Sequence, residues 1–125
     1  MVTASFGAVV LVTPDPQELA AFYAELLGWV AVHSDPDWVR LRHPEQERPG
    51  LSFQREPGDI PPTWPAAEGG VQMQAHLDVL VDDLEAEEQR AVDLGARPET
   101  PQPAPGVRVM RDPHGHIFCL FLPGS

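Results

Sequence analysis

Basic residues and cysteine are scarce in this chain, and long apolar runs are missing. It contains 8 Lys and Arg against 19 Asp and Glu, which gives a formal net charge of −11. Because nucleic acids and anionic membranes attract positive charge, we expect neither as a main partner. The single cysteine, Cys119, cannot form an internal disulfide, and no apolar run is long enough to cross a bilayer. These features predict a protein of the cytoplasm, where thiols stay reduced.

Two stretches of the chain resemble each other over the same number of residues. Residues 15–28 open with an acidic helix cap and end on Leu-Gly, and residues 82–95 do the same. Each stretch follows an apolar segment and precedes strand-like segments. The pattern predicts two similar βαβββ modules with a cup between them. The length of 125 residues fits one domain, in which module one spans 5–56, a Pro-rich linker spans 57–70 and module two spans 71–123.

The first module contains the clearest helix signal in the chain. Asp15 is a good N-cap, Pro16 suits the first helical position, and Gly28 ends the helix. Apolar residues between them recur on one helical face. The remaining segments read as strands, with turns predicted at Asp35-Pro36 and Pro49-Gly50; these strands are 6–13, 29–34, 37–43 and 50–56.

The second module begins with an alternating segment. Residues 71–79 place His76 and Asp78 on a polar face, and the other face is apolar. A helix is predicted over about 83–94, followed by a rigid connection over 98–105. The chain then closes with a hairpin of strands 107–111 and 116–122. Its turn, Asp112-Pro-His-Gly115, has the residues of a type I turn.

Three ordered motifs carry a family resemblance over nearly the whole chain. They are Asp15…Phe22-Tyr23…Leu27-Gly28-Trp29, His76-Leu-Asp-Val-Leu-Val-Asp-Asp83 and Asp112-Pro-His-Gly-His-Ile-Phe-Cys-Leu120. Together they resemble the glyoxalase/bleomycin resistance/extradiol dioxygenase group, the vicinal oxygen chelate superfamily. The chain is most similar to small glyoxalase-like domain proteins of actinobacterial type. The resemblance implies an α+β fold in which two βαβββ modules form a curved mixed β-sheet cup, and it implies a homodimer.

The resemblance also implies where a metal would lie. Metal-dependent members hold their ion with four side chains, one from each of four strands. In this chain the first position falls at Ala8 or Val9, and neither side chain can bind a metal. The second falls near Gln54, the third at His76, and the fourth at Cys119. We therefore expect that the metal site is lost and that no cofactor is needed; if a divalent metal bound, Gln54 and His76 would be its ligands.

Two residues of the second module are candidates for chemistry. His76 is the candidate catalytic or ligand-contacting residue, because a polar strand face inside a cup commonly forms a site. The alternative is a histidine hydrogen-bonded to Gln74 or Asp78 as part of the fold. Cys119 would be a nucleophile if His76 lowered its pKa. A free cysteine in an apolar strand is more often a small core residue, and we favour that interpretation.

A second set of candidate ligand contacts lies on the predicted strand 37–43 of the first module. Trp38 and Arg40 share a strand face, opposite Val39 and Leu41. If this face lines the cup, Arg40 would pair with an anionic ligand on which Trp38 stacks. Otherwise it is a solvated outer face, which is the somewhat favoured interpretation.

The function predicted first is metal-independent binding of a small organic molecule in the cup. Its contacts would come from both modules: Trp38, Arg40, Gln54, His76, Cys119 and Phe121. One alternative is a divalent-metal-dependent lyase, isomerase or dioxygenase of the same superfamily. A second is a non-catalytic resistance or partner-binding module. Proteins with a fold of this kind have many different activities, so the residues of the site are needed to distinguish these functions.

Overall fold

The computed structural model describes residues 1–124, which divide into two compact units. The first unit is Met1–Asp59, and the second begins at Ile60. Within the described residues there are eight strands and two helices. Most of the segment predicted as a linker, 57–70, therefore belongs to the second unit.

The first unit is a four-stranded sheet with one helix. Its elements in chain order are β1 (Ala8–Thr13), α1 (Pro16–Leu27), β2 (Val30–Ser34), β3 (Trp38–His43) and β4 (Gln46–Arg55). The strand order is β1-β4-β3-β2, with β1 parallel to β4 and the other pairs antiparallel.

Helix α1 forms because its ends are capped and one face is apolar. The Asp15 carboxylate accepts a hydrogen bond from the Glu18 amide at 3.1 Å, and Gly28 takes the left-handed conformation at φ 68°. The apolar face packs on β3 and β4, where Tyr23 stacks on Phe53 with ring centroids 5.8 Å apart. Both rings are fully buried, so the helix covers the core face of this sheet.

The second unit repeats the same arrangement. Its elements are β5 (Leu77–Leu80), α2 (Leu84–Asp93), β6 (Arg97–Pro98), β7 (Val107–Arg111) and β8 (Ile117–Phe121). The strand order is β5-β8-β7-β6, with β5 parallel to β8. Helix α2 packs on β6, β7 and β8. Its cap matches that of α1, because the Asp83 carboxylate accepts from the Ala86 amide at 3.1 Å.

The α+β fold class and the two βαβββ repeats are thereby confirmed. The hairpin turn is also as predicted, since the Gly115 amide donates to the Asp112 carbonyl at 3.0 Å. The cup between the repeats stays a prediction. No helix within residues 1–124 combines the length and the apolar character that crossing a membrane requires.

The predicted strand over 71–79 is wrong in its first part. Strand β5 is only Leu77–Leu80, and its parallel pairing begins where Leu77 meets Phe118. Strand β8 itself begins at Ile117, directly after the hairpin turn. Residues 71–76 therefore have no neighbouring strand with which to continue the ladder, although their side chains alternate in the sequence.

The predicted boundary at Pro49-Gly50 is also wrong. Strand β4 starts at Gln46 and runs through both residues. Pro49 is tolerated because the β3–β4 register shifts between the pairs His43–Gln46 and Leu41–Leu51, so no regular ladder bond is needed there. The rigid connection predicted over 98–105 begins inside the short strand β6, which pairs with β7.

A buried arginine ties three segments of the second unit together. Arg111 is 7% exposed and its Nε donates to a Glu99 carboxylate oxygen at 2.6 Å. Its Nη1 donates to the carbonyls of Pro62, at 2.9 Å, and Gly115, at 2.8 Å. At Gly115, which has φ 94°, an added Cβ would lie 2.6 Å from Pro61 Cγ. The hairpin turn and residues 61–62 are therefore packed directly against each other.

We expect Phe118→Ala to destabilise the protein by about 3–5 kcal/mol, because the ring is fully buried and its removal leaves a cavity. Urea unfolding followed by circular dichroism measures the change. Val92→Ala, at a 37%-exposed position on α2, is the control and should stay within about 0.5 kcal/mol. Equal effects of the two substitutions would contradict the described core.

Candidate ligand cavity of the second unit

A cavity of about 370 Å³ lies on one side of the second sheet. All of its lining residues belong to the second unit. Most are apolar: Trp64, Met73, Pro103, Val107, Val109, Ile117 and Phe121. The polar ones are His76, Asp78 and Cys119. The cavity therefore has apolar walls with a single small polar cluster.

The register of the sheet explains why these side chains meet. Cys119 pairs with Val109 on β7 and with Asp78 on β5, so the three lie side by side across the sheet. Ile117 and Phe121 share their face, because side chains alternate along a strand. The intervening residues of β8, Phe118 and Leu120, are fully buried on the opposite face. The cavity thus lies on the face of the sheet that α2 does not cover.

The opposite wall comes from irregular segments that are held in place by hydrogen bonds. The Trp64 indole N–H donates to the Pro101 carbonyl at 3.2 Å. The Thr63 amide donates to the Val71 carbonyl at 3.0 Å, and Arg111 holds the Pro62 carbonyl. These bonds fix the position of the Trp64 ring, so the wall does not depend on packing alone.

The polar cluster contains three metal-ligating or titratable groups. His76 Nε2 lies 2.9 Å from Asp78 Oδ1. One ligand atom from each of His76, Asp78 and Cys119 lies within 4.8 Å of the others. The side chains of His76 and Asp78 are 35% and 58% exposed, whereas Cys119 is buried. Solvent therefore reaches the cluster on the side of the histidine and the carboxylate.

Cys119 is not activated as a nucleophile in this setting. Burial, followed by the negative charge of Asp78 and the hydrogen bond to its carboxylate, raises the pKa of the Cys119 thiol to about 11. The thiol is therefore protonated near neutral pH. Its burial agrees with the small-residue interpretation, and it also lines the cavity.

The other predicted contact residues lie in the first unit. Trp38 pairs with Gln54 across β3 and β4, and Arg40 pairs with Ser52. The intervening residues Val39 and Leu41 are buried. Trp38, Arg40 and Gln54 consequently share the sheet face that α1 does not cover. The structure brings His76, Cys119 and Phe121 together in one cavity, and a site shared by all six residues stays a prediction.

Seven of the ten residues that line the cavity are absent from the contacts that the sequence predicts, among them Asp78, Trp64 and Met73. Of these, the sequence suggests Asp78 only as a hydrogen-bonding neighbour of His76. The His-x-Asp spacing is the available signal for Asp78, because residues two apart on a strand share a face. Met73 is misplaced by the sequence pattern because residues 71–76 are not a strand.

The superfamily's four-ligand metal site does not fit this chain. Its first position falls on β1 at Ala8 or Val9, and neither alanine nor valine has a donor atom. Gln54, the second position, lies in the first unit on β4. The chain therefore lacks the complete donor set with which the superfamily holds its metal.

Solved structures with the same fold extend over nearly the whole chain. An enzyme of the glyoxalase/bleomycin resistance/dioxygenase family from Burkholderia phytofirmans PsJN matches with a TM-score of 0.72 and 16% identity, over 95% of this chain and 98% of its own. A fosfomycin resistance protein from Listeria monocytogenes gives 0.71 and 13%, over 99% and 96%. The bleomycin-binding protein of Streptomyces verticillus, solved with copper(II)-bleomycin, gives 0.60 and 19%, over 98% of each chain.

These structural matches show the fold class, and a match to a sequence-family model shows the family. Residues 8–121 match the family model described as glyoxalase-like domain. The chain therefore belongs to the glyoxalase-like domain family, within the vicinal oxygen chelate superfamily. No curated protein matches the chain significantly by sequence.

We expect Cys119 to react slowly with iodoacetamide near neutral pH, because only the thiolate attacks. The rate should rise by about tenfold per pH unit, up to the thiol pKa of about 11. Asp78→Asn removes the neighbouring negative charge, so it should lower this pKa and speed alkylation at any lower pH. Mass spectrometry of the alkylated protein gives the rates.

Asp82→Asn is the matched control, because Asp82 is an exposed carboxylate of the same unit that does not line the cavity. It should leave the alkylation profile unchanged. A plateau in the wild-type rate below pH 9 would contradict the protonated, buried thiol.

Proposed function

We propose that the protein binds a small organic molecule in the cavity of its second unit, without the superfamily's metal site. The observation that carries this proposal is the cavity itself, whose apolar walls surround one polar cluster. Its volume of about 370 Å³ falls in the range of roughly 300–1,000 Å³ common for ligand sites. A one- or two-ring compound suits this size.

The walls favour a flat, largely apolar body. Trp64 on one side and Ile117 and Phe121 on the other are lining residues, and the Trp64 ring is fixed by its bond to Pro101. Aromatic walls give large contact areas with little loss of side-chain freedom. The binding energy would therefore come mainly from removal of apolar surface from water.

The polar cluster favours a ligand that donates hydrogen bonds or carries positive charge. Asp78 supplies a carboxylate, and Cys119 is a protonated thiol near neutral pH. The residues lining the cavity, all within the described part of the chain, include no Lys or Arg. Arg40 lies on β3 of the first unit and not on this cavity wall, so the anionic ligand considered for it stays a separate prediction.

We propose binding rather than turnover as the activity. One structural relative, from Streptomyces verticillus, is a bleomycin-binding protein, and another, from Listeria monocytogenes, is a fosfomycin resistance protein. Sequestration of a compound needs shape and polarity but no activated group, which suits a cavity whose cysteine thiol has a raised pKa. The metal-dependent lyase, isomerase or dioxygenase is disfavoured by Ala8 and Val9, which cannot ligate a metal.

Assembly and location remain predictions: the family resemblance implies a homodimer, and the composition with its single cysteine predicts the cytoplasm. Sedimentation velocity of the purified chain tests the first, and a monomer across micromolar concentrations would contradict it.

We expect a matched set of probes to separate by charge: 2-naphthylmethylamine, 2-naphthylmethanol and 2-naphthylacetate. The amine should bind about fivefold more tightly than the alcohol, because a partly exposed ion pair contributes up to about 1 kcal/mol. The acetate should bind most weakly. NMR titration of amide shifts measures each dissociation constant and shows which unit responds.

Variants assign the effects to the cavity. Asp78→Asn should abolish the preference for the amine, and Trp64→Ala should weaken all three probes by about tenfold through loss of the aromatic wall. Trp38→Ala is the matched control in the first unit and should change nothing. Shifts confined to the first unit, or weakening by Trp38→Ala alone, would contradict the proposal.

A further inference from the structure

We propose that Arg40 and Arg42 form a binding site for a doubly charged tetrahedral oxyanion, either free inorganic phosphate or the phosphate group of a small molecule. Both residues lie on β3 of the first unit. In this unit the superfamily's metal positions fall on β1 and β4, and no residue of β3 lines the second-unit cavity. The site is therefore independent of the organic ligand proposed above.

The two arginines lie on the sheet face that α1 does not cover. Leu41, between them, is 2% exposed and belongs to the core under α1. On the β2 side the pairing is regular here, through Ala31–Leu41 and Val30–Arg42, so the side chains alternate. Two residues along a strand separate the Cα atoms of Arg40 and Arg42 by about 6–7 Å. Their guanidinium groups can therefore contact one anion from two sides.

Neither arginine is neutralised by a carboxylate. All 8 basic residues of the chain are arginines, against 19 acidic residues. Among residues 1–124, Arg40 and Arg42 have neither an ion pair nor a hydrogen bond from their side chains. Most of the other arginines do have a carboxylate partner: Arg55, Arg90, Arg97, Arg108 and Arg111. A free pair of cations on one face is therefore exceptional in this acidic chain.

Arg42 also holds a buried donor without an acceptor. Its Nε–H is buried, and the described part of the chain provides no hydrogen-bond partner for it. A buried donor that is left unpaired is unfavourable, and more so when the group is charged. A guanidinium presents its N–H groups in a rigid planar fork that matches the oxygens of phosphate and carboxylate. Binding of an oxyanion would therefore supply the missing acceptor.

The acidic residues of the β2–β3 connection do not supply that acceptor, because they are engaged elsewhere. Asp35 Oδ2 lies 2.7 Å from His33 Nε2, and its other oxygen accepts from two backbone amides. Asp37 lies 4.0 Å from the Arg55 guanidinium. The positive charge of the arginine pair is therefore left for a partner from outside the chain.

The neighbouring strands add no charge to this face. Ser52 on β4 is the register partner of Arg40, and its hydroxyl is an additional donor. Two guanidinium groups without an acidic neighbour match a phosphate group, which carries about −1.5 to −2 charge near pH 7. A carboxylate would neutralise only one of them. The other β1 and β4 residues in register on this face are Ala8, Val10, Val12, Gly50 and Gln54.

NMR titration of the amide shifts with inorganic phosphate, at an ionic strength held constant with NaCl, tests the proposal. We expect saturable shifts on β3 and its neighbouring strands. Acetate should bind at least about tenfold more weakly, because it carries a single charge. Methyl phosphate distinguishes the two sources of the oxyanion. Binding as tight as that of inorganic phosphate assigns the site to a phosphate monoester, and binding about tenfold weaker assigns it to free phosphate.

Substitutions assign the phosphate response to the two arginines. Arg40→Gln and Arg42→Gln should each weaken phosphate binding by about tenfold. Arg42→Lys keeps the charge but has no Nε–H, so its affinity should lie between those of the wild type and Arg42→Gln. Arg55→Gln is the matched control, because it removes the same charge from the face of the buried Phe53, and it should have no effect. Arg40 is partly exposed, so its variant keeps the test valid if Arg42→Gln disturbs folding.

Absence of saturable shifts with phosphate would overturn the proposal, as would equal weakening by Arg42→Gln and Arg55→Gln. Acetate binding as tight as phosphate binding would contradict selection of a doubly charged anion. Trp38 lies on the side of Arg40 that faces away from Arg42, so Trp38→Ala should leave phosphate binding unchanged. Trp64→Ala should weaken the naphthyl probes without affecting phosphate, and Arg40→Gln should do the reverse. Failure of either proposal is therefore recognised separately.

Discussion

The second unit depends on the burial of one charged side chain, Arg111. A buried guanidinium is tolerated only when its donors are satisfied. Glu99 supplies the opposite charge, and the carbonyls of Pro62 and Gly115 accept two further hydrogen bonds. These partners lie on three separate segments. The arginine therefore holds in place irregular segments that have no strand pairing of their own. This arrangement holds the cavity wall that carries Trp64 in position.

The second constraint is the carboxylate of Asp78, which makes the cavity polar at one point only. It lies beside both the His76 imidazole and the Cys119 thiol, where it adds to the effect of burial in raising the pKa of the thiol. The same group carries the charge preference that we propose for organic ligands and contributes to the low reactivity of the cysteine. The same placement makes the thiol a poor nucleophile, because a nearby negative charge opposes its ionisation.

Local sequence signals predicted the helices and the hairpin well. Asp15, Pro16 and Gly28 act within a few residues of one another, so their effect on α1 can be read without tertiary context. The parallel pairing of β5 with β8 joins residues about forty positions apart, such as Asp78 and Cys119. No local pattern encodes that register, and this is why the sequence places Asp78 beside His76 but not beside Cys119. The false strand over 71–76 has the same origin, because alternation cannot show that a partner strand has ended.

The irregular cavity wall that carries Trp64 could not be predicted from the sequence for a different reason. Trp64 lies in a Pro-rich segment without periodicity, and its placement depends on hydrogen bonds to Pro101 and on the hold of Arg111 on Pro62. Sequence therefore recovers the scaffold and the family, whereas the irregular half of the cavity depends on contacts between distant segments.

The contact between Gly115 and Pro61 connects the hairpin turn to the chain segment that leads into the cavity wall. Any side chain at position 115 would collide with the Pro61 ring and strain a left-handed backbone. The resulting displacement of Pro61 would pass through Pro62 toward Trp64, which lies three residues after Pro61. A substitution in a turn that does not line the cavity would therefore change the shape of the cavity without changing the identity of any residue that lines it.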